Sequence, residues 1–177
     1  GTYNSRVEWG DGTSDIITSD SDPEVTHTYA IAGTYEIKVH GTFEGFRFFG
    51  GKDGPKLLNV SQWGILEPGT KPGLFFEGCV NMTIAATDVL NISKTTDMNG
   101  TFKDCTSLTA FPTFHKMNFT NVTNISNMFR NDSSFNDAVV GPDYSSITTA
   151  EGFVRGCDVF NSAVNGMNLT SCTNFSR

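Results

Sequence analysis

One short pattern returns along the second half of the chain, and it limits the possible folds more than any other feature. Phe76-Glu77-Gly78-Cys79-Val80-Asn81-Met82 aligns with Phe102-Lys103-Asp104-Cys105-Thr106-Ser107-Leu108. It aligns again with Phe129-Arg130-Asn131-Asp132-Ser133-Ser134-Phe135 and with Val154-Arg155-Gly156-Cys157-Asp158-Val159-Phe160. Each block has an apolar residue, a Cys or Asp three positions on, and an apolar residue six positions on. Starts at 76, 102, 129 and 154 give steps of 26, 27 and 25 residues. Phe75, Thr101, Met128 and Phe153 precede the starts; further upstream sit Thr95, Val122 and Ile147, each followed three later by Met98, Ile125 and Ala150. A fifth copy opens at Leu169, with Cys172 and Phe175 three and six residues on.

A coil of about 25 residues cannot bury its own apolar side, so neighbouring coils must stack to make a core. If coils pair as parallel strands, equivalent residues repeat about every 4.8 Å. This predicts one internal column of Phe76, Phe102, Phe129 and Val154, and another of Met82, Leu108, Phe135 and Phe160. Asn-rich stretches such as 121–127 suit side-chain hydrogen bonds at the turns. The composition agrees: Thr, Ser and Asn number 22, 15 and 15, Phe 15, and Leu only seven, which disfavours a helical bundle. The net charge of −7 argues against a nucleic-acid partner. No apolar run of about 18 residues could span a membrane. No signal peptide is visible, and a start at Gly1 with a stop inside the pattern reads as a fragment or processed piece.

The first forty residues follow a different rhythm. Val7 and Trp9 alternate with Arg6 and Glu8 before a Gly10-Asp11-Gly12 turn; a short strand is expected at Ile16-Ile17, a second strand at Val25 to Tyr29, and a half-buried strand from Thr34 to His40 with Tyr35, Ile37 and Val39 on one side. Val7-Glu8-Trp9-Gly10-Asp11-Gly12, His27-Thr28-Tyr29 and Gly33-Thr34-Tyr35-Glu36-Ile37-Lys38-Val39 together resemble the signature of polycystic-kidney-disease (PKD) domains, immunoglobulin-like β-sandwiches of extracellular proteins. That resemblance implies a sandwich module over 1–49, incomplete or reduced at its N-terminus. Asp11, Asp15, Asp20 and Asp22 match no calcium-loop spacing and read as a solvated loop. Between the halves, Phe43, Phe46, Phe48 and Phe49 read as a strand covering the seam, a Gly50–Pro55 turn cluster follows, and Leu57, Leu58, Val60 and Trp63 open a capping coil.

The repeats also carry a resemblance. Residues 100–112 resemble the Treponema-type leucine-rich repeat of BspA-like surface proteins. Residues 122–136, with Met128-Phe129 and Ser134-Phe135-Asn136, are similar to the Met-Phe/Ser-Phe-Asn variant found in surface proteins of bacteria such as mycoplasmas and lactobacilli. The link around Leu57 to Gly64 is similar to the join in relatives that carry a Trp-Gly-Asp-Gly module ahead of the repeats. The resemblance implies a mainly β protein: a PKD/Ig-like module at 1–49 and a leucine-rich-repeat-type solenoid at 50–177, right-handed and open to continuation beyond Arg177. It further implies an extracellular, non-enzymatic surface or virion protein whose partners are a cell-surface protein or glycan. The alternative is a building block of a filament, capsid coat or phage tail, with identical or neighbouring subunits as partners.

Cys79, Cys105 and Cys157 share one slot, which makes small buried column residues or a Cys79–Cys105 disulfide the two readings. Zinc lacks a ligand set, and no cofactor is expected. Ten Asn-x-Ser/Thr sequons occur, at Asn59, Asn81, Asn91, Asn99, Asn118, Asn121, Asn124, Asn131, Asn168 and Asn174, against about three expected by chance. They are glycosylation candidates or a polar turn ladder. His27, His40 and His115 lie on separate segments, no Gly-x-Ser-x-Gly elbow exists, and no phosphate-cradling Gly-rich loop precedes a helix. Glu67, Glu77, Asp88, Asp97 and Asp104 could pair for glycoside chemistry, yet nothing separates them from an acidic face. The expected core comprises Trp9, Tyr35, Trp63 and the two columns.

Overall fold

A computed structural model of the chain describes residues 2–48 and 52–175. The expected roles of Phe49, of the Gly50-Gly51 turn and of Arg177 lie outside the described residues.

Alternation over the first residues builds β1 (Tyr3–Glu8), which pairs antiparallel with β2 (Ser14–Ile17) and β3 (Lys38–Glu44). The β1–β2 turn needs Gly10 and Gly12, at φ of 84° and 93°. Asp11 closes it by accepting the Thr13 N–H at 3.0 Å. Val7, Trp9 and Ile17 are buried on one face of this sheet, with Tyr3, Tyr29 and Val39 packed against them.

The segment between β2 and β3 departs from expectation. Residues Pro23–Val25 form a 3-10 turn, Val25 to Tyr29 is not a strand, and pairing resumes only at Lys38. The apolar alternation there serves ring stacking instead of ladder bonding. Trp9 stacks on His27 at 4.7 Å, His27 meets Tyr29 edge-on at 4.6 Å, and Tyr29 stacks on Tyr35 at 4.1 Å. The Tyr29 hydroxyl donates to the Trp9 carbonyl at 2.9 Å. Tyr35 ends this file half-buried, not in the core, and Ile37 is exposed. Among the described residues no second sheet faces β1–β3.

The seam is aromatic. β3 stops at Glu44, so Phe46 and Phe48 lie beyond the strand, and both pack on Phe76, at 5.4 and 5.9 Å. After β4 (Asn59–Val60), β5 (Leu66–Glu67) runs parallel to β3 and completes a four-stranded sheet in the order β2-β1-β3-β5. β4 pairs in parallel with β6 (Thr83–Ile84) across a separation of 24 residues. Lys94 fastens the two halves: its ammonium lies 2.9 Å from Glu44 and 3.5 Å from Glu67.

From residue 73 onward, copies of the repeat lie side by side, bonded backbone to backbone. N–H groups of Leu74, Phe76 and Gly78 donate to the carbonyls of Asn99, Thr101 and Lys103. Those of Met98, Gly100, Phe102 and Asp104 donate to Asn124, Ser126, Met128 and Arg130; those of Ile125, Asn127, Phe129 and Asn131 donate to Thr149, Glu151, Phe153 and Arg155. Parallel bridges link Asp97, Asn124, Thr149 and Asn174 in series. The side chains follow the backbone: the Phe76 and Phe102 rings are 5.5 Å apart and 4° from parallel, and Phe102 and Phe129 are 5.5 Å apart and 12° from parallel.

Trp63, Phe76, Phe102, Phe129, Met82, Leu108 and Phe135 are buried in one continuous core. Val154 and Phe160 are only half-buried, a correction to the expected columns. Their copy has a full neighbour on one side alone among the described residues. Buried Thr101 replaces an apolar residue without leaving its hydroxyl unbonded, since it donates to the Met98 carbonyl at 2.8 Å.

The fifth copy also needs correcting. The Thr149–Asn174 bridge places Cys172 in the slot of Thr95, Val122 and Ile147, Phe175 in that of Met98, Ile125 and Ala150, and Leu169 in that of Ile92, Phe119 and Tyr144. The turn bonds agree: Cys172 N–H donates to Leu169 as Ile147 N–H does to Tyr144 and Val122 N–H to Phe119. The expected phase failed because two slots of each copy share the same apolar spacing of three.

Candidate functional site

Short polar side chains recur at the same phase in successive copies and form a ladder along the stack. Its first column is Asn91, Asn118, Asp143 and Asn168. Asn91 accepts the Ser93 N–H at 3.0 Å, Asn118 accepts the Thr120 N–H at 3.0 Å, and Asp143 accepts the Ser145 N–H at 2.9 Å. Each is a turn in which an Asn or Asp oxygen ties down the backbone two residues on. A further column is Thr96, Thr123, Thr148 and Thr173, all exposed. The hydroxyls of the last three donate to the threonine carbonyl of the copy before, at 3.2, 3.0 and 3.4 Å.

This geometry explains much of the sequon excess. Such a turn needs Asn or Asp first, a buried residue second, and Ser or Thr suits the third place, so Asn91-Ile92-Ser93, Asn118-Phe119-Thr120 and Asn168-Leu169-Thr170 recur at one phase. Asn124 occupies a second turn of this kind, accepting from Ser126 N–H and the Thr149 hydroxyl. Asn99 and Asn124 are half-buried; the other eight sequon asparagines, Asn59, Asn81, Asn91, Asn118, Asn121, Asn131, Asn168 and Asn174, are exposed.

The cysteine slot holds no bridge. All four cysteines are free, and the Cys105 thiol donates to the Phe76 carbonyl at 3.2 Å instead of meeting Cys79. Cys157 does the same to Phe129 at 2.9 Å. Burial pushes the Cys79 and Cys157 thiols up to about 12 and the Cys105 thiol upward as well, which leaves them protonated and poor nucleophiles. Asp132 stands in the same slot, fully buried. One oxygen accepts the Cys105 N–H at 2.7 Å; the other has no partner. Burial first, and the charge of Asp104 second, raise its carboxyl to about 8 against the opposing pull of the Cys105 N–H. The sequence shows Asp132 as a departure from Cys, but not that one of its oxygens is stranded.

The other candidate acids each have a partner. Glu67 meets Lys94, Glu77 meets Lys103 at 2.5 Å, Asp88 accepts the N–H groups of Trp63 and Gly64, Asp97 accepts that of Asn99, and Asp104 accepts from the Asn131 amide. Of the four N-terminal aspartates expected in a solvated loop, Asp15 instead lies half-buried in β2 and accepts the Trp9 indole N–H, because that strand pairs with β1; Asp22 accepts the N–H groups of Thr18 and Ser19. Asp11 is held down at about 2 by the Thr13 hydroxyl and N–H and then by His27. Among the described residues no group of three or more His, Cys, Asp or Glu is placed to hold a metal ion. No helix there is long and apolar enough to cross a membrane.

Compared with known proteins, residues 73–177 match the family described as "Mycoplasma protein of unknown function, DUF285". No curated protein and no solved structure matches.

Proposed function

We propose, from the premise that this chain belongs to the DUF285 family, that it is a non-enzymatic extracellular surface protein that presents its stacked repeats for adhesion. In this reading residues 50–177 are a leucine-rich-repeat-type solenoid of the BspA-like kind, and residues 1–49 are a reduced PKD-like module whose sheet borrows β5 from the start of the solenoid. The partner is a cell-surface glycan or protein.

The observation that carries the reading is the polar ladder. Thr side chains stand in register over four copies and Asn or Asp turns over three, bonded to the backbone and to neighbouring side chains, so their remaining donors and acceptors are fixed in space before any ligand arrives. Preorganised polar arrays lose little entropy on binding, and stacked repeats supply long regular surfaces for it.

The test is binding of the purified chain to a panel of glycans and to intact cells, with sedimentation velocity on the same sample. Saturable binding by discrete small species supports adhesion. Ordered polymers without ligand binding would favour the self-assembling building block. Turnover of a polysaccharide, lost on changing two of the acids named above, would overturn the non-enzymatic reading.

A further inference from the structure

A cleft of about 290 Å³ opens between two adjacent copies, lined by Val89, Leu90, Asn91, Ile92, Ser93, Lys116 and Asn118. Its polar groups are uneven in a way that selects a ligand. The amide oxygens of Asn91 and Asn118 are both committed to their turns, the latter to the Thr120 N–H and, at 2.6 Å, to its hydroxyl. That assigns the amide orientation and leaves each NH₂ as the free end. Lys116 adds an ammonium that makes no ion pair among the described residues, although the chain carries a net charge of −7. Ser93 donates its hydroxyl to Glu67 at 3.2 Å, a neighbouring carboxylate outside the lining that also faces Lys94 at 3.5 Å. The lining has three sources of donors, no carboxylate, and an apolar wall from Val89 and Leu90.

We infer that this cleft is a binding subsite for a carboxylated sugar, its carboxylate on Lys116 and the two Asn NH₂ groups and its apolar ring face on Val89. The inference rests on the adhesive reading and narrows it to acidic glycans. The neighbouring copy lacks these groups. In the next copy Gly141 takes the slot of Lys116 and Asp143 that of Asn118, which removes the cation and adds a negative charge. The volume lies at the lower end of ligand pockets, in keeping with a single sugar ring.

Asp143 also supplies the control, because its Oδ1 accepts the same turn bond while its Oδ2 stands where Asn has its NH₂. Asn118→Asp therefore keeps the turn and replaces a donor by a repelling charge. The experiment is titration of the whole chain with oligogalacturonate, followed by calorimetry and by the side-chain amide and backbone resonances of residues 89–93 and 116–118. Oligogalactose, acetate and inorganic phosphate serve as comparison probes. The expected result is saturable oligogalacturonate binding that shifts these resonances, at least tenfold weaker in Asn118→Asp and in Lys116→Met, with far weaker binding of neutral oligogalactose. Equal binding of oligogalactose, equal displacement by acetate or phosphate, unchanged affinity in both variants, or no binding at all overturns the subsite. If the subsite fails while the chain still binds cells or other glycans, adhesion stands and uses another part of the ladder; loss of both removes the adhesive reading.

Discussion

Asp132 is the one fully buried acid among the described residues. A Cys fills the same slot in three other copies, and each thiol there is neutral. The free carboxyl ionises near 3.8 and the folded one near 8. Between those values the unfolded chain has released the proton while the folded chain keeps it. Unfolding stability therefore falls as pH rises from about 4 to about 8 and levels off above that range. Asp132→Asn keeps an oxygen for the Cys105 N–H and cannot ionise. It is expected to match the wild type near pH 4 and to exceed it at pH 8 by several kcal/mol, since each pH unit between the two values is worth about 1.4 kcal/mol. Urea unfolding of both proteins from pH 4 to pH 9 checks this; parallel curves would mean that Asp132 is not titrating inside the stack. The residue scale is also where the sequence was least legible. The pattern marks Asp132 and Thr101 as exceptions alike, yet Thr101 finds a carbonyl for its hydroxyl and Asp132 leaves an oxygen bare, a difference of local geometry that no spacing reveals.

At the scale of the element, the backbone repeats more strictly than the side chains. Leu74, Gly100, Asn127 and Gly152 have φ of 59°, 58°, 56° and 62°; Gly78, Asp104, Asn131 and Gly156 have 76°, 63°, 64° and 75°. Both series step by 26, 27 and 25 residues, and together they contain every non-glycine residue of positive φ among those described. Left-handed turns in these two slots bend each copy so that it can bond to the next. The second slot was visible as Gly, Asp, Asn and Gly, the residues that tolerate such a φ, though a search for apolar spacing passes over it. At Gly78 an added Cβ meets nothing within 4 Å, so only backbone conformation is at stake. Gly78→Asn should change stability by less than about 0.5 kcal/mol, whereas β-branched Gly78→Val should cost about 1–2 kcal/mol. Equal midpoints for the two variants in chemical denaturation would contradict this account. The strands of the N-terminal sheet were legible where alternation served pairing, as in β1, and misread over residues 25–37, where the same alternation serves a file of stacked rings.

For the molecule as a whole, the stack is a one-dimensional object whose middle and ends differ. Phe102 is fully buried between two parallel rings, so Phe102→Ala should cost about 3–5 kcal/mol. Val154→Ala, half-buried with fewer atoms removed, should cost about 1 kcal/mol, measured in the same denaturation series. One end of the stack is covered by residues 52–67 and the four-stranded sheet. The other carries Val159, Val164 and Phe175, which are 50%, 46% and 63% exposed. Beside them Val154, Phe160, Met167 and Leu169 pack on the core but remain half-buried. In a stack whose copies contact only their neighbours, a residue with a copy on each side loses contacts in both directions when it is truncated. Equal losses for Phe102→Ala and Val154→Ala, after allowing for the atoms removed, would show that position in the stack does not set the cost.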